Sequence, residues 1–163
     1  MKLNIGCGKN YKKGFVNIDG NKNHNPDLVI DIQQENLLKR FEKNSCDEIY
    51  AKDIIEHFTH WEAVNLLEKF YSLLKTNGLL TIITPDFQTI VEGHDSIEKK
   101  LLWIYGGQDY LDESEDRKIY PQYYCHKFCW IQRDLISELT RIGFRKIFPN
   151  VNREYNQMIK AFK

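Results

Sequence analysis

The sequence predicts an α/β fold with a mostly parallel sheet, and three observations predict it. Short apolar runs of β type recur along the first half of the chain, each closed within a few residues by a glycine or an acid. Buried parallel strands have that look, and their carboxyl ends line a ligand crevice. A helix-period pattern of Trp61, Val64, Leu67, Tyr71 and Leu74 lies between two such runs, where a crossover belongs. Finally, Gly6 and Gly8 follow the first run and Asp19 follows the second. Glycines let backbone approach a ligand without Cβ interference, and an acid in that place accepts hydrogen bonds from ribose hydroxyls.

The elements follow in order. Lys2 to Ile5 is the first strand, ended by Gly6. Phe15 to Ile18 is the second, and it begins too soon for a crossover helix of ~10 residues to fit between them. Asp19-Gly20 and Asn25-Pro26 mark a loop. Leu28 to Ile30, ending at Asp31, suits a third buried strand, and Gln33 to Lys43 suits a short helix with Leu37, Leu38 and Phe41 on one face. Asp47 to Ala51 is the fourth strand, with Asp53, Glu56 and His57 just past its end. Thr59-His60-Trp61-Glu62 is a capping box, so a helix starts there and runs to Asn77-Gly78, a C-terminal signal. Leu79 to Ile83 is the fifth strand, stopped by Thr84-Pro85-Asp86.

Residues 87–130 break the alternation, with a helix over Ile97 to Ile104, then Tyr105-Gly106-Gly107-Gln108, an acidic stretch from Asp112 to Asp116 and an aromatic run of Tyr120, Tyr123, Tyr124, Phe128 and Trp130. The aromatic run is either core packing or a substrate lid. Leu135, Ile136, Leu139 and Ile142 line a last helix closed by Gly143, and Phe144 to Phe148 and Gln157 to Phe162 form an antiparallel strand pair.

A chain of 163 residues fits one domain, 1–163, with 87–130 as an irregular lid and recognition insertion. Lys plus Arg and Asp plus Glu both number 23, so the net charge is zero and nothing steers the protein toward nucleic acid or an anionic membrane. A small-molecule partner is expected, and a homodimer is left open. Neither a signal peptide nor a membrane-spanning run is visible, so the expected compartment is the cytoplasm. Cys7, Cys46, Cys125 and Cys129 include no Cys-x-x-Cys pair. Cys125-His126-Lys127-Phe128-Cys129 offers three ligand types without a fourth of matching spacing, so packing is favoured and no metal is expected.

Together these motifs resemble the class I S-adenosylmethionine-dependent methyltransferases. Asn4-Ile5-Gly6-Cys7-Gly8 is similar to their first glycine motif, Asp19 to the ribose-binding acid and Asp31 to the acid contacting adenine. Ile54-Ile55-Glu56-His57 is similar to the Leu-Glu-His signature of small members. Tyr105-Gly106-Gly107-Gln108, His126-Lys127 and Leu135 to Phe144 resemble a short subgroup, some of it from polysaccharide or glycan gene clusters. The resemblance implies a Rossmann-like, seven-stranded sheet, mostly parallel with an antiparallel C-terminal strand. It further implies S-adenosylmethionine as cofactor, methyl transfer to a small acceptor such as a sugar or nucleotide-sugar hydroxyl, and cofactor contacts from Gly6, Cys7, Gly8, Asp19, Gly20, Asp31, Ile32 and Asp53.

The shortened first crossover disfavours a dinucleotide, because a pyrophosphate wants a helix N-terminus. An NAD-dependent oxidoreductase is therefore the weaker alternative, and a non-catalytic cofactor-binding or partner-binding module is another. For the chemistry, His126 is the first candidate for base or substrate-orienting group, His57 the second, and Lys127 a candidate for binding an acidic group on the acceptor. Each has a plain structural alternative: His126 held by backbone, His57 stabilising a turn, Lys127 solvated, and Asp31 capping the next segment.

Overall fold

The computed structural model describes residues 1–107, 118–151 and 155–163, so Gln108 and the stretch Asp112 to Asp116 lie outside the described residues. Seven strands form one sheet: β1 (Lys2–Ile5), β2 (Val16–Asp19), β3 (Leu28–Val29), β4 (Cys46–Lys52), β5 (Leu74–Pro85), β6 (Arg145–Val151) and β7 (Asn156–Phe162). Their order is β3-β2-β1-β4-β5-β7-β6. Strands β1 to β5 pair in parallel, and β7 runs antiparallel to both of its neighbours. The expected mostly parallel sheet and the antiparallel final pair are both present. The chain leaves β1 toward one edge and returns at β4, which makes the gap beyond those two carboxyl ends the place for a ligand.

Residues 6–15 join β1 to β2 by turns alone, without the helix that normally covers such a step. The sheet's two faces show the consequence. Leu3 and Ile5 lie beside Ile49 and Ala51 of β4, which lie beside Leu80 and Ile82 of β5, which in turn face Ala161 and Ile159 of β7. Alternation along a strand puts all of these on one side. They join the buried residues of α1 (His60–Leu73) and α4 (Gln132–Ile142) in one contiguous core with Trp130. By the same alternation, the other face carries Lys2, Asn4, Asn17, Glu48, Tyr50 and Lys52. That face is closed by polar contacts: Lys2 Nζ to Glu48 Oε2 at 2.8 Å, Asn4 Nδ2 to Asn17 Oδ1 at 2.8 Å, and Lys12 Nζ 3.9 Å from the centre of the Tyr50 ring. With no helix in residues 6–15 to cover these strands, polar side chains stand where a doubly covered sheet would be apolar.

Several expectations need correction. Leu28 and Val29 form a two-residue edge strand and are both exposed, so β3 is not buried. The helix expected over Gln33 to Lys43 is a single 3-10 turn, Leu37–Lys39, because Asn36 uses its side chain to accept from the Leu38 amide and caps in mid-run. Thr59 does open α1, with Glu62 Oε2 accepting from its amide and hydroxyl at 2.9 and 2.8 Å. Trp61, however, is 77 % exposed, and Leu66, Phe70 and Leu73 share the buried face with Val64 and Leu67. The helix ends at Leu73 instead of Asn77-Gly78, and Leu74 is already strand. Asn77-Gly78 instead lies within β5, with its backbone bonded to Lys163 in both directions. Within 87–130 are α2 (Phe87–Glu92) and α3 (Ile97–Tyr105), and the segment returns to the sheet where Phe87 donates to the Trp130 carbonyl at 2.9 Å. No helix among the described residues is long and apolar enough to cross a membrane.

Candidate active site

A cavity of about 590 Å³ opens at the carboxyl ends of β1, β2 and β4. Gly6, Cys7, Gly8, Asp19 and Gly20 line one side, and Asp31, Ile32 and Asp53 extend it. Gly6 has φ +62°, and a Cβ there would lie 1.8 Å from Ile54 Cδ1, so the position takes glycine for both backbone and space. Asp19 locks the loop to β2: its Oδ2 accepts from the Gly8 amide at 2.7 Å and its Oδ1 from the Asn21 amide at 2.8 Å. His24 Nδ1 lies 3.3 Å from the same Oδ1, and a carboxylate has about four lone-pair sites, so one acceptor site remains.

Asp31 Oδ1 accepts from the Gln33 amide at 3.0 Å, which is the capping role, while its Oδ2 takes the Tyr123 hydroxyl at 2.9 Å. Burial, then this carboxylate, pushes the Tyr123 phenol up to about 12. The same hydroxyl stands 2.6 Å from where a Gly20 Cβ would be, so the aromatic run reaches across to the β2 and β3 ends.

His57 and His126 also line the cavity. His57 closes a 3-10 turn, Ile55–His57, and its Nδ1 lies 3.0 Å from the Cys125 carbonyl. The amides of Lys127 and Phe128 both donate to the Glu56 carbonyl, at 2.8 and 3.3 Å. These bonds stitch residues 125–128 onto 56–57 and bring the two imidazole centres within 5.1 Å. His126 is set from its own side by Gly106, whose φ is +74° and whose Cβ would lie 2.0 Å from the Tyr124 carbonyl. That close approach lets the His126 amide reach the Tyr105 carbonyl at 3.0 Å and Nδ1 the Trp103 carbonyl at 2.9 Å. Both rings thus carry their proton on Nδ1, leaving the Nε2 lone pairs as acceptors.

Beside them stands Glu56, 2 % exposed. Thr84 Oγ1 donates to its Oε2 at 2.9 Å, and Oε1 has no partner among the described residues. Burial, reinforced by the negative charge of Asp53, pushes this carboxyl up to about 8. Burial pulls His57 down to about 4, with the charge of His126 acting in the same sense, and lowers His126 as well. At neutral pH the pair of imidazoles is neutral and Glu56 holds its proton. Lys127 does not line the cavity; its exposed ammonium reaches Gln33 at the rim, 3.5 Å away.

No protein-family model matches the sequence, and no curated protein matches it. Solved structures do match. A SAM dependent methyltransferase from Archaeoglobus fulgidus aligns over 99 % of this chain and 85 % of its own, at 16 % identity and TM-score 0.66. An S-adenosylmethionine dependent methyltransferase from Mesorhizobium loti aligns over 99 % and 90 %, at 13 % identity and TM-score 0.66. This chain has the fold of the S-adenosylmethionine-dependent methyltransferases. The trans-methyltransferase CalH, solved in complex with SAH, shares that fold over 99 % of this chain and 50 % of its own, at 17 % identity and TM-score 0.63.

Within this methyltransferase fold, the residue that sequence reasoning passed over is Glu56. Its position past β4 was visible, but its burial depends on Thr84 and on residues 125–128, which are distant in sequence. Tyr123 was visible only as one aromatic among several.

Proposed function

We propose that the protein is an S-adenosylmethionine-dependent methyltransferase acting on a small acceptor. The observation that carries this reading is the convergence of the Gly6 to Gly8 backbone, Asp19, Asp31 and Asp53 on one cavity at the sheet's switch point. The cavity fits the cofactor. Nothing would meet a Cβ at Gly8 within 4 Å, so the loop backbone faces open space, and the remaining acceptor site of Asp19 suits a ribose hydroxyl. Residues 6–15 offer no helix N-terminus for a pyrophosphate, which disfavours NAD.

S-adenosylmethionine supplies a methyl group already activated on a sulfonium. What the chain adds is alignment of the acceptor and relief of its proton. Glu56, His57 and His126 stand together on the wall best suited to both tasks: a neutral imidazole can take a hydroxyl proton, and its Nδ1 contact to a carbonyl keeps the ring in place. Trp103 and Tyr124 line the same cavity, and aromatic side chains suit an apolar or sugar-like ring, which supports a sugar or nucleotide-sugar hydroxyl as acceptor.

Titration calorimetry with S-adenosylhomocysteine, S-adenosylmethionine and NAD tests the reading. The first two should bind at micromolar concentration and NAD should not, and Asp19→Ala should weaken the binding at least tenfold. Binding of NAD alone overturns the proposal. Cofactor binding with no turnover over a panel of hydroxylated acceptors and nucleotide sugars moves the protein to a non-catalytic cofactor-binding role.

A further inference from the structure

We propose that Glu56, His57 and His126 bind a divalent transition-metal cation in the wall of the cavity. One ligand atom from each of the three lies within 4.8 Å of the others. Both imidazoles turn Nδ1 to a backbone carbonyl, of Cys125 and of Trp103, and this is the outer contact that fixes ring and tautomer in metal-ligating histidines. The carboxylate supplies an independent observation. Glu56 is 2 % exposed, Thr84 anchors one oxygen, and the other is buried with no partner among the described residues. A buried carboxylate oxygen without a protein partner among the described residues and one nitrogen from each of two imidazoles make up a ligand set for a cation.

Two imidazoles and a carboxylate suit zinc, manganese or iron, whereas magnesium and calcium prefer all-oxygen sets. Ligand atoms around such an ion at ~2.1 Å stand roughly 3 to 3.5 Å apart, so binding draws the three inward by about 1 Å. Asp53, on the same cavity, adds negative charge that Glu56 feels. The thiols nearby are engaged otherwise: Cys129 Sγ faces the Ile104 carbonyl at 3.4 Å and Cys125 Sγ the His126 carbonyl at 3.8 Å.

Three protein ligands leave positions open for water or for an oxygen of the substrate, as catalytic sites do. The use of the ion rests on the methyltransferase reading: it would hold an acceptor hydroxyl, or two neighbouring hydroxyls, and lower the pKa of the bound oxygen. The imidazoles then act as ligands, and the acceptor's proton is lost to solvent. Cation binding itself does not depend on that reading.

The full chain, freed of metal by dialysis against a chelator, is titrated with Co²⁺ followed by visible absorption, and with Zn²⁺ followed by calorimetry. The expected result is one equivalent bound with micromolar or tighter Kd and cobalt ligand-field bands that Zn²⁺ displaces. Glu56→Gln and His126→Ala should each weaken binding at least ~30-fold, with far-UV circular dichroism unchanged, while the exposed His94→Ala binds as wild type. Should either variant misfold, wild-type crystals soaked in Zn²⁺ must show the anomalous peak among these three side chains. Absence of saturable binding, binding indifferent to both substitutions, or an ion found elsewhere overturns the proposal. S-adenosylhomocysteine is titrated separately: its failure to bind beside intact Zn²⁺ binding refutes the methyltransferase reading and leaves the metal site standing.

Discussion

Replacing Glu56 by Gln in the metal-free protein should make stability less sensitive to alkali. In the fold this carboxyl is raised from an ordinary 4.5 to about 8, with burial the first cause and Asp53 the second. Between those two values the folded chain holds a proton that the unfolded chain has released, so stability falls as pH rises through the window and levels off above about 8. A shift of that size at 1.36 kcal/mol per unit makes the full loss about 5 kcal/mol. The histidines act in the opposite sense at lower pH. His57, depressed from 6.5 to about 4, takes a proton on unfolding and makes stability rise with pH across that interval, and His126 adds to the same trend. Above about 7.5 both are neutral in either state, and Glu56 alone of the three sets the slope. Urea denaturation of wild type and Glu56→Gln with chelator present, from pH 5 to 9, isolates the effect, because other groups cancel in the difference. Wild type should lose about 2 kcal/mol relative to the variant between pH 6.5 and 8 and change little beyond. A difference that stays flat, or that favours wild type as pH rises, refutes the burial of a protonated Glu56.

Other perturbations follow from the same geometry. Gly6→Ala places a methyl against Ile54 at a positive φ, so S-adenosylhomocysteine affinity should drop more than ~10-fold by calorimetry and stability by about 2 kcal/mol. Tyr123→Phe frees Asp31 Oδ2, and S-adenosylhomocysteine affinity should rise severalfold, since the hydroxyl occupies the acid assigned to adenine; unchanged or weaker binding removes that competition. Trp130→Ala empties a fully buried site at the junction of β5, β7 and α4, and chemical denaturation should show a loss of about 3 to 5 kcal/mol. Asn17→Leu strips the polar face of its central link between Asn4 and Asp27 and should cost about 2 kcal/mol in the same assay.

The legible parts of this chain were those with a local signature. Thr59 and Glu62 announce α1, Gly143 closes α4, and Gly6, Asp19 and Asp31 share one cavity because each lies at or just past the end of a strand that defines the crevice. The errors share a cause as well. Helix spacing alone does not tell which stripe of α1 faces the sheet: Trp61 fits the apolar spacing yet is exposed, and Phe70 is buried outside it. Leu28 and Val29 are apolar yet exposed because they sit at a sheet edge, a fact of topology that a three-residue run does not carry. The Glu56, His57 and His126 cluster was invisible as a unit because backbone bonds between residues 56 and 127–128 build it, and those bonds have no pattern in sequence.

The missing first helix ties these points together. In a doubly covered sheet, the helix after β1 both shields one face and presents its N-terminus to the ligand. Here the face is shielded by Lys2, Lys12, Asn4, Asn17 and Tyr50, and the end of β1 is fixed by Asp19 accepting the Gly8 amide. The carboxylate thereby replaces a structural duty of the helix while keeping acceptor capacity for a ligand. That substitution removes the positive end a phosphate needs and sets Asp19, Asp31 and Asp53 on the cavity wall, with Lys52 paired to Asp53 at 3.6 Å. The carboxylates of Asp19 and Asp31 then stand where the amides of a helix N-terminus would hold a phosphate, which disfavours a pyrophosphate at this edge of the sheet.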